Sequence, residues 1–214
     1  MIEAVVFDLD GVLLASEEVW DEVRARYVRE RGGRYDEAAQ RAMMGMSAPE
    51  WSRYIHEQLG VPDSPQEINA EVVRRMVERY RERLPLIPGA RETVEELARR
   101  WPLGLASSSN RELIDAVLEL SGLAPFFRAT VSSEEVARGK PAPDVYLEVA
   151  RRLGVAPERC VAIEDSHAGI RSAKAAGMRV IAVPNPTYPP DPASLAEADL
   201  VVADLSGVRS CISA

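Results

Sequence analysis

The feature that most limits the fold is a recurrence of short, unbroken apolar runs set between helical patterns. The runs occupy residues 4–7, 103–106, 129–131, 160–164, 179–183 and 200–202. A strand with one wet face alternates polar and apolar residues. An unbroken run belongs to a strand covered on both faces, as in a parallel sheet flanked by helices. The intervening segments supply those helices. Val94, Leu97, Ala98 and Trp101 share a face, as do Leu113, Ile114, Val117 and Leu118, and then Tyr146, Val149, Ala150 and Leu153. Gly122, Gly154 and Gly177 each follow a helical stretch, where a left-handed residue closes the last turn. The expected fold is an α/β, doubly wound parallel sheet.

The rhythm breaks after the first run. Residues 16–84 carry helical patterns and no strand. Val19, Trp20, Val23 and Tyr27 form one stripe. Ser47-Ala48-Pro49-Glu50 and Ser64-Pro65-Gln66-Glu67 read as capping boxes ahead of further apolar stripes. A helical block placed here predicts a separate cap domain at 16–85, inserted into a core domain made of 1–15 and 86–214. Residues 85–89 would be the return linker.

The sharpest local signal is Phe7-Asp8-Leu9-Asp10-Gly11-Val12, two acids at the C-terminal end of a buried strand. Open α/β sheets bind ligands there. In extended chain, positions 8 and 10 point to one side, and carboxylates that close repel unless a cation or proton is shared. The competing reading is a solvated acidic turn. Ser107, Ser108, Ser109 and Asn110 follow the second run. They offer hydroxyls and free backbone N–H groups to an oxyanion, or else simply cap a helix. Lys140 stands between Gly139 and Pro141, on stiff backbone that aims a side chain; the alternative is a lone surface lysine. A further run ends in Glu164 and Asp165. Phosphoryl transfer needs such a set: a nucleophile, a hard cation held by carboxylates, and donors for the transferring oxygens.

The order and spacing of these elements resemble the haloacid dehalogenase superfamily, in the branch with a helical cap after the first strand. That branch includes β-phosphoglucomutase, phosphoglycolate phosphatase and sugar-phosphate phosphatases. The resemblance covers essentially the whole chain, with all four motifs in order. It implies that Asp8 is the nucleophile, and that Asp10 protonates the leaving oxygen and then activates water. It also implies that Ser107, Ser108 and Lys140 bind phosphoryl oxygens. By the same resemblance Asp8, the Asp10 main-chain carbonyl and Asp165 coordinate Mg2+, with Glu164 ligating directly or through water. Hydrolytic dehalogenases lack the second acid of the first motif, because a halide leaves without a proton; Asp10 therefore points to phosphate esters. Phosphonatases of the superfamily use a cap lysine, and residues 16–80 contain none.

The chain also departs from the pattern. Ala15-Ser16-Glu17 stands where relatives read D-S-E, which removes a polar contact at the hinge. Gly45-Met46-Ser47 is the expected cap loop for reading the leaving group, with Asn110 reaching it and Trp20 facing the substrate. Ala48 takes the place of the arginine found in β-phosphoglucomutases, so no cation stands there for a second phosphate. Arg41 and Arg53 read as solvated helix residues, His56 as a surface histidine, His167 as either a surface residue or a hydrogen-bond donor beside the metal motif, and Trp51 as cap core. The expected function is magnesium-dependent hydrolysis of a small phosphorylated metabolite. The rivals are a phosphomutase of the same fold and a non-catalytic phosphometabolite-binding protein.

Composition narrows the partners. A net charge of −8 argues against nucleic acid and anionic membranes. No run approaches the ~20 apolar residues of a membrane span. With no signal peptide before Asp8, the expected setting is cytoplasmic, as a monomer or weak homodimer. Cys160 and Cys211 form no metal knuckle, and Cys160 reads as a small buried hydrophobe.

Overall fold

The computed structural model describes residues 1–187 and 189–213. The strands are β1 (Ala4–Phe7), β2 (Leu103–Ser107), β3 (Phe127–Ser132), β4 (Cys160–Glu164), β5 (Arg179–Ala182) and β6 (Leu200–Val201). They form one sheet in the order β3-β2-β1-β4-β5-β6, and every neighbouring pair is parallel. The doubly wound sheet expected from the apolar runs is the one observed.

The period-two geometry of a strand divides each run between two cores. Val5 and Phe7 join Leu103, Leu105, Val161 and Ile163 on one face, beneath α5 (Ala90–Ala98), α6 (Arg111–Ser121) and α10 (Leu205–Ser213). Ala4 and Val6 join Ala106, Ala129 and Ala162 on the other, beneath α7 (Asp144–Leu153) and α8 (His167–Ala175). The edge strands fit the expected runs least well. β3 starts two residues before its run, because Arg128 stands exposed at the rim while Phe127 packs edge-on against Phe7 with ring centroids 6.0 Å apart. On β6, Leu200 and Val201 are exposed.

Of the five helices between β1 and β2, the four that precede α5 are α1 (Glu17–Glu30), α2 (Glu37–Met43), α3 (Ala48–Leu59) and α4 (Pro65–Glu82). Both expected capping boxes form. Ser47 N–H donates to Glu50 at 2.7 Å, and Ser64 N–H donates to Glu67 at 2.9 Å. The two chain crossings into this helical insert run side by side. Leu14 and Leu86 form an antiparallel bridge, Ala15 N–H donates to the Pro85 carbonyl at 2.8 Å, and Ile87 N–H donates to the Leu13 carbonyl at 2.9 Å. The remaining helix is α9 (Pro192–Ala196). No helix among the described residues is long and apolar enough to cross a membrane.

One acid ties the end of β3 to two helices. Burial alone would raise the Glu135 carboxyl, but the Ser132 N–H, Arg111 and Arg152 outweigh it and hold the group down at about 2. A depressed acid stabilises the fold above its ordinary pKa and loses that contribution as pH falls toward its folded value. Glu135→Gln should therefore lower stability at pH 7 by about 1 kcal/mol, after screening at this partly exposed site. Thermal unfolding at stepped pH should show the gap closing between pH 4.5 and 2; a gap that persists at pH 2 would mean a packing defect instead.

Candidate active site

The sheet order reverses at β1. From that strand the chain moves outward through β2 and β3, then returns to β4 on the opposite side. Ligands of open α/β sheets sit beyond the C-terminal strand ends at such a switch point. Asp8 follows β1 directly and Asp165 follows β4 directly, on the two strands that flank the reversal. Ser107 closes β2, and Lys140 lies in the loop between β3 and α7.

These residues meet. Lys140 Nζ lies 2.5 Å from Asp8 Oδ1 and 2.5 Å from Glu164 Oε1, with all three side chains buried. Carboxylate oxygens of Asp8, Glu164 and Asp165 lie within 4.8 Å of one another. Burial pushes the Asp8 carboxyl up, and the charges of Glu164 and Asp10 push further; Lys140 opposes them, leaving the group at about 8. Asp165 is pushed well above the carboxylate range by burial and by Glu164 and Asp8. Three carboxyls thus face one ammonium at a largely buried place, and the fully ionised set carries surplus negative charge. An all-oxygen, over-charged donor set of this kind fits a hard divalent cation.

Two glycines make the crowding possible. Gly11 has φ +83°, and a Cβ there would lie 1.8 Å from Asp165 Oδ2. On α8, a Cβ at Gly169 would lie 1.9 Å from Glu164 Oε1. The missing side chains are what let both acids fold back against the backbone.

Glu164 is more engaged than a ligand role suggests. Its Oε1 accepts from Lys140 and from the Tyr146 hydroxyl at 2.6 Å. Its Oε2 accepts from Asp165 N–H at 3.1 Å, Ser166 N–H at 3.3 Å and the Ser166 hydroxyl at 3.1 Å. These bonds fix Lys140 and the entry to α8. Sequence reasoning placed Tyr146 in the core stripe of its helix and missed its hydroxyl, because only the tertiary fold brings it to Glu164.

Asp10 is gripped from both sides. Its Oδ1 accepts from the Ser16 hydroxyl at 2.6 Å and from Trp20 Nε1 at 3.3 Å, and its Oδ2 accepts from the Ser109 hydroxyl at 2.6 Å. Ser16 immediately precedes α1 and Trp20 lies on it, whereas Ser109 follows β2. Asp10 therefore joins the helical insert to the sheet. The Asn110 amide does the same, donating to Asn69 Oδ1 on α4 at 3.2 Å. A serine hydroxyl can turn from donor to acceptor, so one cradle can hold Asp10 as carboxylate or as acid.

Two adjoining cavities open here. The larger, about 320 Å³, is lined by Asp8, Asp10, Ser108, Lys140, Asp165 and His167 among others. The smaller, about 70 Å³, lies under the insert and is lined by Asp10, Glu17, Trp20, Arg24, Met43, Gly45, Met46, Trp51, Ser108 and Asn110 among others. Most of the expected site residues thus gather around one space. Ser47 does not line it; its hydroxyl is bound to Glu50 in the cap of α3. Ser107 is buried, its hydroxyl accepting from Ser109 N–H at 3.0 Å. Arg41 and Arg53 are exposed, as is His56. Two charged lining residues escaped the sequence reading, Glu17 and Arg24. The insert does supply a buried cation, from α1 and not from the Gly-Met-Ser turn.

The fold and the placement of its acids define the class, an α/β protein with an acidic cluster at the switch point of a parallel sheet. The chain belongs to the haloacid dehalogenase-like hydrolase family, whose model matches residues 2–177. Hexitol phosphatase B of Escherichia coli K12 is 36% identical over 195 residues, spanning 89% of this chain and 87% of its own. CbbY from Rhodobacter sphaeroides, solved in complex with phosphate, has a TM-score of 0.87 at 29% identity, over 97% of this chain and 96% of its own. β-Phosphoglucomutase from Clostridium difficile has a TM-score of 0.84 at 25% identity, over 100% of this chain and 96% of its own.

Proposed function

We propose that the protein is a magnesium-dependent phosphatase that hydrolyses a small phosphorylated metabolite, of sugar-phosphate or phosphoglycolate type, through an aspartyl-phosphate on Asp8. The observation that carries this reading is the Asp8 carboxylate at the base of a cavity, 2.5 Å from Lys140 Nζ and clustered with Asp165 at the switch point. The similarity to a hexitol phosphatase supports the substrate class.

In this reading a carboxylate oxygen of Asp8 attacks phosphorus, and the bond to the ester oxygen breaks. Asp10 gives its proton to that oxygen, so the leaving group departs as an alcohol. Asp10 then takes a proton from water, which attacks phosphorus and releases phosphate from Asp8. Lys140, Ser107 and Ser108 would bind the transferring oxygens, and Glu164 holds Lys140 in place. Asp8 and Asp165 would hold Mg2+ with the Asp10 carbonyl, and Glu164 would stand behind them. When bound, the ion offsets the surplus charge of the acids and that of the phosphoryl group. The helical insert acts as a cap that shields the reaction from bulk water.

A phosphomutase is the rival that Arg24 favours, since it must hold a second phosphate in the cap. Glu17 and Asp10 line the same small cavity, and they weigh against a second dianion. Phosphate release should be measured on a panel of phosphorylated metabolites with magnesium and with excess EDTA. Release that EDTA abolishes is the expected result. Full activity in EDTA would remove the metal from the mechanism, and turnover only with an added sugar bisphosphate would establish the mutase.

A further inference from the structure

Among the described residues, two buried side-chain atoms have no hydrogen-bond partner, Arg24 Nε and Asn110 Oδ1. Both residues line the small cavity beside Asp10. Buried polar groups are nearly always paired, and these two unpaired atoms belong to residues that border one cavity.

The geometry of each is fixed. The Arg24 guanidinium lies over Trp20, 4.4 Å from its centroid, and over Trp51, 4.9 Å from its centroid. The two ring centroids lie 5.9 Å apart, so the indoles meet the guanidinium from adjacent directions and hold it beside the cavity. Burial pushes Arg24 down to about 10, so it is still a cation at neutral pH. The Asn110 Nδ2 donates to Asn69 Oδ1 at 3.2 Å and to Glu134 Oε1 at 2.6 Å. Two acceptors on that side identify the nitrogen and leave Oδ1 as an acceptor.

One orphan is therefore a donor and the other an acceptor. A hydroxyl pairs with both kinds. A carboxylate or a second phosphate pairs with Arg24 but turns oxygen against Asn110 Oδ1, and it meets Glu17 and Asp10 in the same lining. The two indoles add apolar faces suited to the C–H side of a carbon chain.

We propose that Arg24 and Asn110 select a leaving group that carries neutral hydroxyls, so that the preferred substrate is a phosphorylated polyol or sugar and not a phosphorylated hydroxy acid. This rests on the phosphatase reading above and narrows it. Arg24 acts as a specificity residue, held in place by Trp20 and Trp51.

The test compares kcat/KM for three esters: a hexitol phosphate, phosphoglycolate, and p-nitrophenyl phosphate, whose leaving group lacks aliphatic hydroxyls. The wild-type protein should prefer the hexitol phosphate to phosphoglycolate by at least about tenfold. Arg24→Met should lower the ratio of hexitol phosphate to p-nitrophenyl phosphate by about tenfold or more. Equal or reversed preference in the wild type overturns the proposal, as does an Arg24→Met ratio that stays put. If Arg24→Met does not fold, the wild-type preference decides alone. If the wild type releases phosphate from none of the three, the phosphatase reading fails. Calorimetric binding of hexitol phosphate against phosphoglycolate then still decides the selectivity: tighter hexitol phosphate supports it, and equal or weaker binding sinks it.

Discussion

Asp8→Asn is expected to lower phosphate release by at least about four orders of magnitude while the protein stays folded. The carboxamide has nearly the shape of the carboxylate but is not a competent nucleophile toward phosphorus. Its oxygen can still accept from Lys140 Nζ, so the bond seen at Asp8 has a substitute. The substitution also removes one acid from a buried group in which Glu164 and Asp10 already oppose the Asp8 charge. The melting temperature should therefore match the wild type or exceed it, as commonly happens when a crowded active-site charge is deleted. Initial rates on the best ester of the panel, with thermal unfolding alongside, make the comparison. Rapid-quench mass spectrometry of the wild type should find one phosphoryl group on the peptide that contains residue 8. A variant that keeps a tenth of the wild-type rate would exclude Asp8 as the nucleophile.

The parts of this molecule that were legible in its sequence are those fixed by local rules. β1 and β4 match their apolar runs because both are central strands, buried on both faces. The edge strands match less well because an edge tolerates residues such as Arg128. The acids Asp8, Asp10 and Asp165 stood out because strand-end carboxylates have few structural uses. Arg24 did not stand out. It falls one position past Val23 in the stripe of Trp20, Val23 and Tyr27, where a charged residue is ordinarily assigned to solvent. It is buried because Trp51, on α3, packs against it alongside Trp20, with the two indoles 5.9 Å apart. No spacing rule predicts a meeting of residues 24 and 51. Ser47 carries two readings in the sequence, a capping box and a turn that meets the leaving group, and its hydroxyl serves the first, bound to Glu50. Glu164 read as a metal ligand by its position, and only the fold reveals Tyr146 and Ser166 drawing on the same carboxylate.

The role of Gly11 is likewise invisible without coordinates, and it leads to a sharp expectation. Gly11→Ala carries two separable penalties. The first is backbone strain at φ +83°, about 1 kcal/mol for a residue with a Cβ. The second is the clash of that Cβ with Asp165, 1.8 Å from Oδ2 and 2.4 Å from Cγ, which no rotation of the methyl relieves. The Asp165 carboxylate must move, and displacement of a reacting or metal-holding group by about an ångström costs roughly 100-fold in rate. Gly154→Ala is the matched control, because Gly154 has φ +71° and nothing within 4 Å of a built Cβ. Both variants should lose a few degrees of melting temperature, about 2–4 °C per kcal/mol for a chain of this size. Only Gly11→Ala should lose activity, by about 100-fold at fixed magnesium, with a higher magnesium concentration needed for half-maximal rate. Equal activity in the two alanine variants would mean that Asp165 can leave its place without consequence, and would remove it from the proposed metal set. Equal activity loss in both would trace the effect to strain transmitted through the fold, not to the carboxylate that Gly11 admits.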